Sequence, residues 1–438
     1  MSPASNQWST TTQWLFRFFF IYFLLQVLPL DYKFYKDVFA IRLGAIYYGD
    51  IFRLAHYYPE FILSSPLYNW FLIVALSVIG AIVWSAIDKQ AKEYAQLYYW
   101  LRVLLRYRLA FALTAYAFIK IFPLQSPFPT LSQLNTQYGE FTTWQLFSVS
   151  LGTAPLYQIF LGWVELVAAV LLLWRRTTAI GAFIVLLFTG NVLFSNLAYE
   201  GGEVGYSLFL VLLALVLFAY DAQRIFNVVV WGRKAIADRF LPIIKPQFKV
   251  WRWVLKGVFI FFILIFYGFK TYQGYKKNPH NIPIAKGLPD VAGVYNVAHF
   301  SINNDTLPYN SLDPIRWQQV VFEEWATLSI KSNRDVIIDS NNVEQVSPID
   351  WDKKYESQGT IRRHFYAYTV DSIQQLLHLH NKNAHYPADT FTLHYARPDT
   401  NTIILQGRIN NTDSIYTVLT KIPKKYLLIE GRRKPQTL

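Results

Sequence analysis

Between Trp14 and Tyr272 the chain carries roughly seven apolar stretches, each close to the length that crosses a bilayer as a helix. They run over Trp14–Leu30, Leu67–Ile87, Leu101–Phe122, Thr153–Trp174, Thr178–Leu197, Gly205–Tyr220 and Trp253–Tyr272. Nearly all are continuous rather than alternating, and backbone polar groups in lipid must be satisfied within their own segment, so helices are expected. Several stretches contain ionisable residues, Lys120 and Glu165 foremost. A charge near the bilayer centre costs on the order of 3 kcal/mol, so an intramembrane acid or base is expected to face a partner or a wet cavity.

Composition fits this class. The 438 residues are 53% hydrophobic and 18% aromatic, with only 16% charged. A formal charge of +13 would raise nucleic acid as a partner, but from Ala285 onward 17 Lys and Arg stand against 16 Asp and Glu. The excess lies with the apolar stretches, which is the pattern of cytoplasmic loops holding topology and not of a nucleic-acid face. With no cysteine, disulfides, thiolate metal sites, iron–sulfur clusters and cysteine nucleophiles are excluded. Met1–Thr12 lacks the basic start of a secretory signal, and the following apolar run has no small-residue cleavage site, so it reads as a retained span.

Loop charges predict an orientation in a bacterial inner membrane. Lys89, Lys92, Arg102 and Arg106 at the start of the third span, Arg175 and Arg176 after the fourth, and eight basic residues from Arg224 to Lys256 mark the cytoplasmic side. Pro123–Gly152 and Ala198–Val204 hold no Lys or Arg but do hold Glu140, Glu200 and Glu203, as expected outside. Seven spans then end with the carboxy-terminal domain outside. Asp31–Pro66, with mixed charges among Tyr and Phe, reads as amphipathic helix at the interface. Arg106, Arg108, Arg175 and Arg176 read as head-group anchors, and Trp70, Trp84, Trp100 and Trp174 as an aromatic belt.

After the proline-bearing linker 277–283 the period switches to two. Phe391, Leu393 and Tyr395 alternate with Thr390, Thr392 and His394; Ile403, Leu405, Gly407 and Ile409 share one face, and Ala326, Leu328 and Ile330 another. Asn303-Asn304, Asn341-Asn342, Arg397-Pro398-Asp399 and Asn410-Asn411 are turn signals. An antiparallel all-β domain of about eight strands is predicted over 285–438, closed as a barrel or sandwich because closure removes exposed edges. Its opening Gly293-Val294-Tyr295 and meander are reminiscent of a lipocalin-like barrel.

Arg108–Phe122, RLAFALTAYAFIKIF, opens on a basic residue and closes with Lys120; Gly162–Ala182, GWVELVAAVLLLWRRTTAIGA, joins a glycine and a glutamate to a basic turn and a further glycine. With Asn191 and Asn196 on the next helix, residues 101–220 resemble the DoxX-like family of four-helix membrane proteins. The resemblance implies a compact bundle over 101–222, flanked by an amino-terminal membrane region (1–100) and a basic segment with a seventh span (223–276). Some relatives in that family are small subunits of quinone-coupled oxidoreductases such as thiosulfate:quinone oxidoreductase.

Glu165 lies ten residues before Arg175, roughly 15 Å along a helix, which places it near mid-membrane. One reading has Glu165, Lys120, Asn191 and Asn196 lining a polar pocket that binds a quinone or lipid head group, or moves a proton. The other makes the acid and base a structural ion pair or interhelical clamp. In the β domain His378 and His380 stand two apart and would share a strand face, a spacing seen in imidazole metal sites, with His385 and His394 as additions. No carboxylate stands at a telling distance, so exposed histidines on a polar face are the favoured reading. No Walker loop, dinucleotide fingerprint, zincin motif or nucleophile elbow occurs.

These residues lead to an inner-membrane protein whose bundle binds a quinone or lipid, with an outer β domain that docks a partner protein. The alternative is a noncatalytic assembly or scaffold subunit that recruits a periplasmic partner. A carboxylase-like membrane enzyme shares only architecture, and transport is disfavoured because no pair of Gly- or Pro-broken spans recurs in two halves.

Overall fold

Helices claim the amino-terminal two thirds of the chain and antiparallel strands the rest, so the change of period near residue 280 is a change of architecture. The computed structural model describes residues 8–59, 61, 66–89, 93–234, 240, 242, 246–278, 282–338, 353, 355–357, 359–410 and 412–430. The chain divides into two units. One comprises Met1–Phe122, Ile159–Ala198 and Gly202–Gly274; the other comprises Pro123–Gln158, Tyr199–Gly201 and Tyr275–Leu438.

The helical unit contains α1 (Thr10–Val27), α2 (Tyr32–Ala40), α3 (Tyr48–Ala55), α4 (Pro66–Ile87) and α5 (Ala95–Ile121). Two short helices of the other unit follow, α6 (Leu131–Leu134) and α7 (Thr143–Gly152). Then come α8 (Pro155–Leu172), α9 (Thr178–Ala198), α10 (Val204–Val229), α11 (Pro246–Ile260) and α12 (Tyr267–Lys277), the last two joined through a π-helical turn at Phe261–Phe266. Six helical stretches among the described residues are long and apolar enough to cross a membrane: those of α1 with α2, α4, α8, α9, α10 and α11 through α12. The chain is a helical membrane protein with an all-β domain. The expected third span is instead a 27-residue helix, α5, less apolar than the rest because it carries Arg102, Arg106, Arg108 and Lys120.

α5 is nonetheless the centre of the helical core. Leu101, Leu105, Leu109 and Leu113 recur every four residues, bury one stripe, and meet Ala168, Ala169 and Leu172 of α8 and Phe209, Leu213 and Leu217 of α10. Small residues set the helix spacing, as membrane packing favours. A Cβ on Gly162 would lie 2.7 Å from the Ala117 carbonyl oxygen and 2.8 Å from the Ile121 nitrogen. The amphipathic segment expected before the second span is realised in α3, which buries Tyr48, Ile51, Phe52 and Ala55, whereas α2 buries none of its residues.

In the second unit the strands are β1 (Gly293–Ile302), β2 (Asp305–Thr306), β3 (Gln319–Phe322), β4 (Thr327–Lys331) and β5 (Arg363–Asp371). The remaining four are β6 (Leu376–Asn381), β7 (Thr390–Ala396), β8 (Thr402–Ile409) and β9 (Asp413–Ile422). Every pairing is antiparallel, and β1 pairs with both β3 and β9, which closes the barrel and leaves β2 as a short extension. A bulge between Val297 and His299 shifts the alternation of β1, so Tyr295 and Val297 before it and Phe300 after it all point into the core. Asn303 and Asn304 both adopt positive φ, 49° and 72°, and make the tight turn from β1 to β2. Gly407 has no room for a side chain, since a Cβ would sit 2.0 Å from the Thr392 carbonyl oxygen on β7. The predicted faces are present: Phe391 and Leu393, Ile403 and Leu405, and Ala326, Leu328 and Ile330 line the barrel core. Asn341-Asn342 and Asn411 lie outside the described residues.

The β unit also takes in a segment of sequence expected to be only a loop between two spans. Residues 123–158 cover the outer face of β3, β4 and β5, the face opposite Val320, Phe322, Leu328 and Ile330. Glu323 accepts from the backbone N–H and hydroxyl of Ser132 (2.8 and 2.5 Å) and from the N–H of Leu131 (3.1 Å). Lys331 pairs with Glu140 at 2.6 Å, and the guanidinium of Arg363 donates to Ser329, Gln319 and the Asn135 carbonyl. The expected bundle over 101–222 is therefore interrupted, because buried carboxylates and guanidinium on the barrel wall need the polar groups that 123–158 supplies.

Candidate functional site

Lys120 occupies the last turn of α5 and Glu165 the middle of α8. The close approach of these helices at Gly162, one turn before Glu165, brings the two side chains to 2.5 Å between Nζ and Oε1. Both are buried, at 7% and 6% side-chain exposure. The Lys120 ammonium also lies 5.6 Å from the ring centres of Tyr116 and Phe188, within reach of a cation–π attraction. Glu165 Oε2 is buried and has no hydrogen-bond partner among the described residues. A carboxylate so placed keeps one oxygen free to take a proton or a donor from another molecule.

A second polar node adjoins this pair through Tyr116. Its ring lies 6.0 Å from His56 and 5.9 Å from Tyr206. His56 pairs with Glu203 at 2.7 Å and packs on Tyr206 at 4.1 Å, and the Tyr206 hydroxyl donates to the Ala55 carbonyl. Sequence reading misses His56, because it sits at the end of a short helix and 147 positions from its partner. Its only local signal is the amphipathic pattern of α3.

The remaining expected pocket residues separate. Asn196 is buried and its amide donates to Ser207 at 3.4 Å, tying α9 to α10. Asn191 is exposed at the surface of α9. Five positions on a helix amount to a rotation of about 140°, so two residues at that spacing cannot share one pocket face. Of the expected anchors, Arg108 is engaged within the protein, donating to the Ala55 carbonyl at the carboxyl end of α3 and to the Tyr57 carbonyl just beyond it. Arg106 and Arg175 are half-buried at a cleft of about 20 Å3 also lined by Arg102, Tyr220 and Asp221, and Arg176 is exposed.

His378 and His380 do share the outward face of β6, opposite the buried Leu377 and Leu379. His378 Nδ1 lies 3.5 Å from the Thr392 hydroxyl, and His385 and His394 are exposed. Among the described residues no group of three His, Asp or Glu side chains gathers as a metal site.

The β unit holds a second concentration of buried charge. Burial, with the Glu356 carboxylate nearby, pushes the Glu323 carboxyl up to about 7 against the hydrogen bonds from Ser132 and Leu131. Glu356 pairs with Lys382 at 2.5 Å and accepts from the Trp325 indole and the Thr327 hydroxyl. These groups are engaged with one another and with the covering segment, which marks them as structural.

A stretch of 77 residues, 18% of the chain, is 32% identical to the uncharacterized protein YwoB of Bacillus subtilis (strain 168). The chain spans about half the length of that relative (50%). No protein-family profile matches the chain, and no solved structure matches it.

Proposed function

We propose that this membrane protein binds a quinone or lipid head group at the Lys120–Glu165 pair, in an inner membrane, as a DoxX-like subunit of a redox complex. The β-barrel, outside the cytoplasm, docks a partner protein. The observation that carries the reading is the unpartnered Oε2 of a buried, lysine-paired glutamate. An acid and a base in a low-dielectric site polarise and protonate a carbonyl oxygen more effectively than the same groups in water. The neighbouring Tyr116, His56 and Glu203 extend a line of polar groups away from the pair, which suits proton movement coupled to a quinone. The DoxX-like pattern of residues 101–220 supports the same reading. Mass spectrometry of small molecules retained after mild detergent extraction tests it: a quinone or a defined lipid in near-stoichiometric amount is expected.

A noncatalytic assembly subunit is the second reading. It is favoured by the close contact of Lys120 with Glu165, 2.5 Å, which would also serve as an interhelical clamp. In that case the extract holds no enriched quinone or lipid, and a periplasmic protein copurifies with the barrel.

A further inference from the structure

One mouth of the barrel holds an open cavity of about 270 Å3. Trp317, Ile330 and Phe391 supply apolar walls, and Arg334, His364 and Asp389 form a polar end. The polar end is nearly saturated. Asp389 Oδ2 accepts from the Tyr366 hydroxyl (2.8 Å), the Asn381 amide (2.9 Å) and Arg334 (2.9 Å), so the carboxylate's charge is matched and that oxygen is fully engaged.

His364 is the exception. It is 3% exposed, and its Nε2 has no hydrogen-bond partner among the described residues. The Asn381 side chain fixes the tautomer: its Oδ1 accepts from the Asn383 N–H (2.9 Å), which turns its Nδ2 toward His364 Nδ1 at 3.2 Å. Nδ1 is therefore the acceptor and the ring proton sits on Nε2. Burial, reinforced by Arg334, pushes His364 down to about 4 against the opposing pull of Asp389 and of the Asp335 carbonyl, so the imidazole is neutral near pH 7. The Asp335 carbonyl, which accepts from the Tyr386 hydroxyl at 3.0 Å, acts on the ring from nearby but is not within hydrogen-bond geometry of Nε2. An N–H buried without an acceptor costs free energy, and the cavity beside it is where an acceptor would sit.

We infer that the barrel mouth binds a small uncharged molecule with an apolar body and a carbonyl or hydroxyl oxygen, which accepts from His364 Nε2. The Arg334–Asp389 pair leaves no net charge at the polar end, and the Asp413 carboxylate on the rim disfavours anions. The ligand's apolar part lies against Trp317 and Phe391.

Photo-crosslinking of the full chain in nanodiscs with a diazirine-bearing octanamide, followed by peptide mapping, tests this site. Adducts are expected on the peptides holding Trp317, Ile330 and Phe391. Unlabelled octanamide should compete at about tenfold lower concentration than octanoate or octylamine, the margin of one net hydrogen bond. His364→Phe keeps an aromatic ring and removes the donor, and should lower labelling about tenfold; Ile330→Trp fills the cavity and should abolish it, each with an unchanged far-ultraviolet circular dichroism spectrum. Equal competition by all three compounds overturns the proposal, and that arm uses the unaltered chain, so it stands even where a variant misfolds. Labelling unchanged in His364→Phe overturns it too, and leaves that N–H to water.

Discussion

Glu323 holds Ser132 across 191 positions of sequence: its carboxylate takes both the backbone N–H and the hydroxyl of that residue, so the first turn of α6 is capped by a side chain just past the end of β3. The carboxyl is raised from an ordinary 4.5 to about 7, chiefly by burial and then by Glu356. A group whose folded value lies above its unfolded one favours the fold in its protonated form. Its contribution is complete below pH 4.5 and disappears as pH rises through 7.

The β unit should therefore gain up to about 3 kcal/mol from this group as pH falls from 8 to 4.5. Glu323→Gln removes the titration and flattens that part of the profile. Thermal midpoints from near-ultraviolet circular dichroism between pH 5 and 8 check it; parallel profiles for the two proteins would contradict the assignment.

Residues 285–438 expressed alone lack the segment that pairs with Glu323, Lys331 and Arg363. Each buried polar group left unpaired costs about 1–3 kcal/mol, more where it is charged. The fragment is expected to aggregate or melt early, and joining residues 123–158 to its amino terminus through a flexible linker should restore a soluble β-rich protein. Equal stability of the two fragments by circular dichroism would show that the segment contributes nothing.

What the sequence reveals and what it hides divide along physical lines. Strand faces such as Phe391 with Leu393 are local patterns of period two, and the apolar runs of α4 or α10 are local patterns of length, so both are legible. The Lys120–Glu165 pairing follows from the cost of burying either charge alone. The covering of β3–β5 by residues 123–158 is not legible, because a polar loop that meets buried charges looks like any solvated loop. Asn191 illustrates a different loss: that it is polar and within a span can be read, but the rotation that turns it outward is set by packing of α9 against its neighbours. Arg108 resembles a lipid anchor by position and is claimed instead by the open end of α3.

Gly162 lets α5 and α8 approach closely enough to join Lys120 to Glu165. Gly162→Leu should force the helices apart and cost about 1–3 kcal/mol, with a lower thermal midpoint in detergent. An unchanged midpoint would mean that the contact is not tight.

The basic loops predict that a reporter fused after Leu438 is active outside the cytoplasm and one fused near Ala235 inside. Cytoplasmic activity at Leu438 would reverse the orientation on which an external barrel depends.

The most direct test of the intramembrane site compares ligand content and thermal stability for Glu165→Gln and Glu165→Leu. Gln keeps the shape and an acceptor for Lys120 but removes the titratable proton, whereas Leu leaves the ammonium buried and unpaired at a cost of about 3–5 kcal/mol. A binding site predicts that Glu165→Gln assembles but loses its quinone or lipid. Unchanged ligand content in both variants, with stability lost only in Glu165→Leu, would contradict it and leave Lys120–Glu165 a clamp.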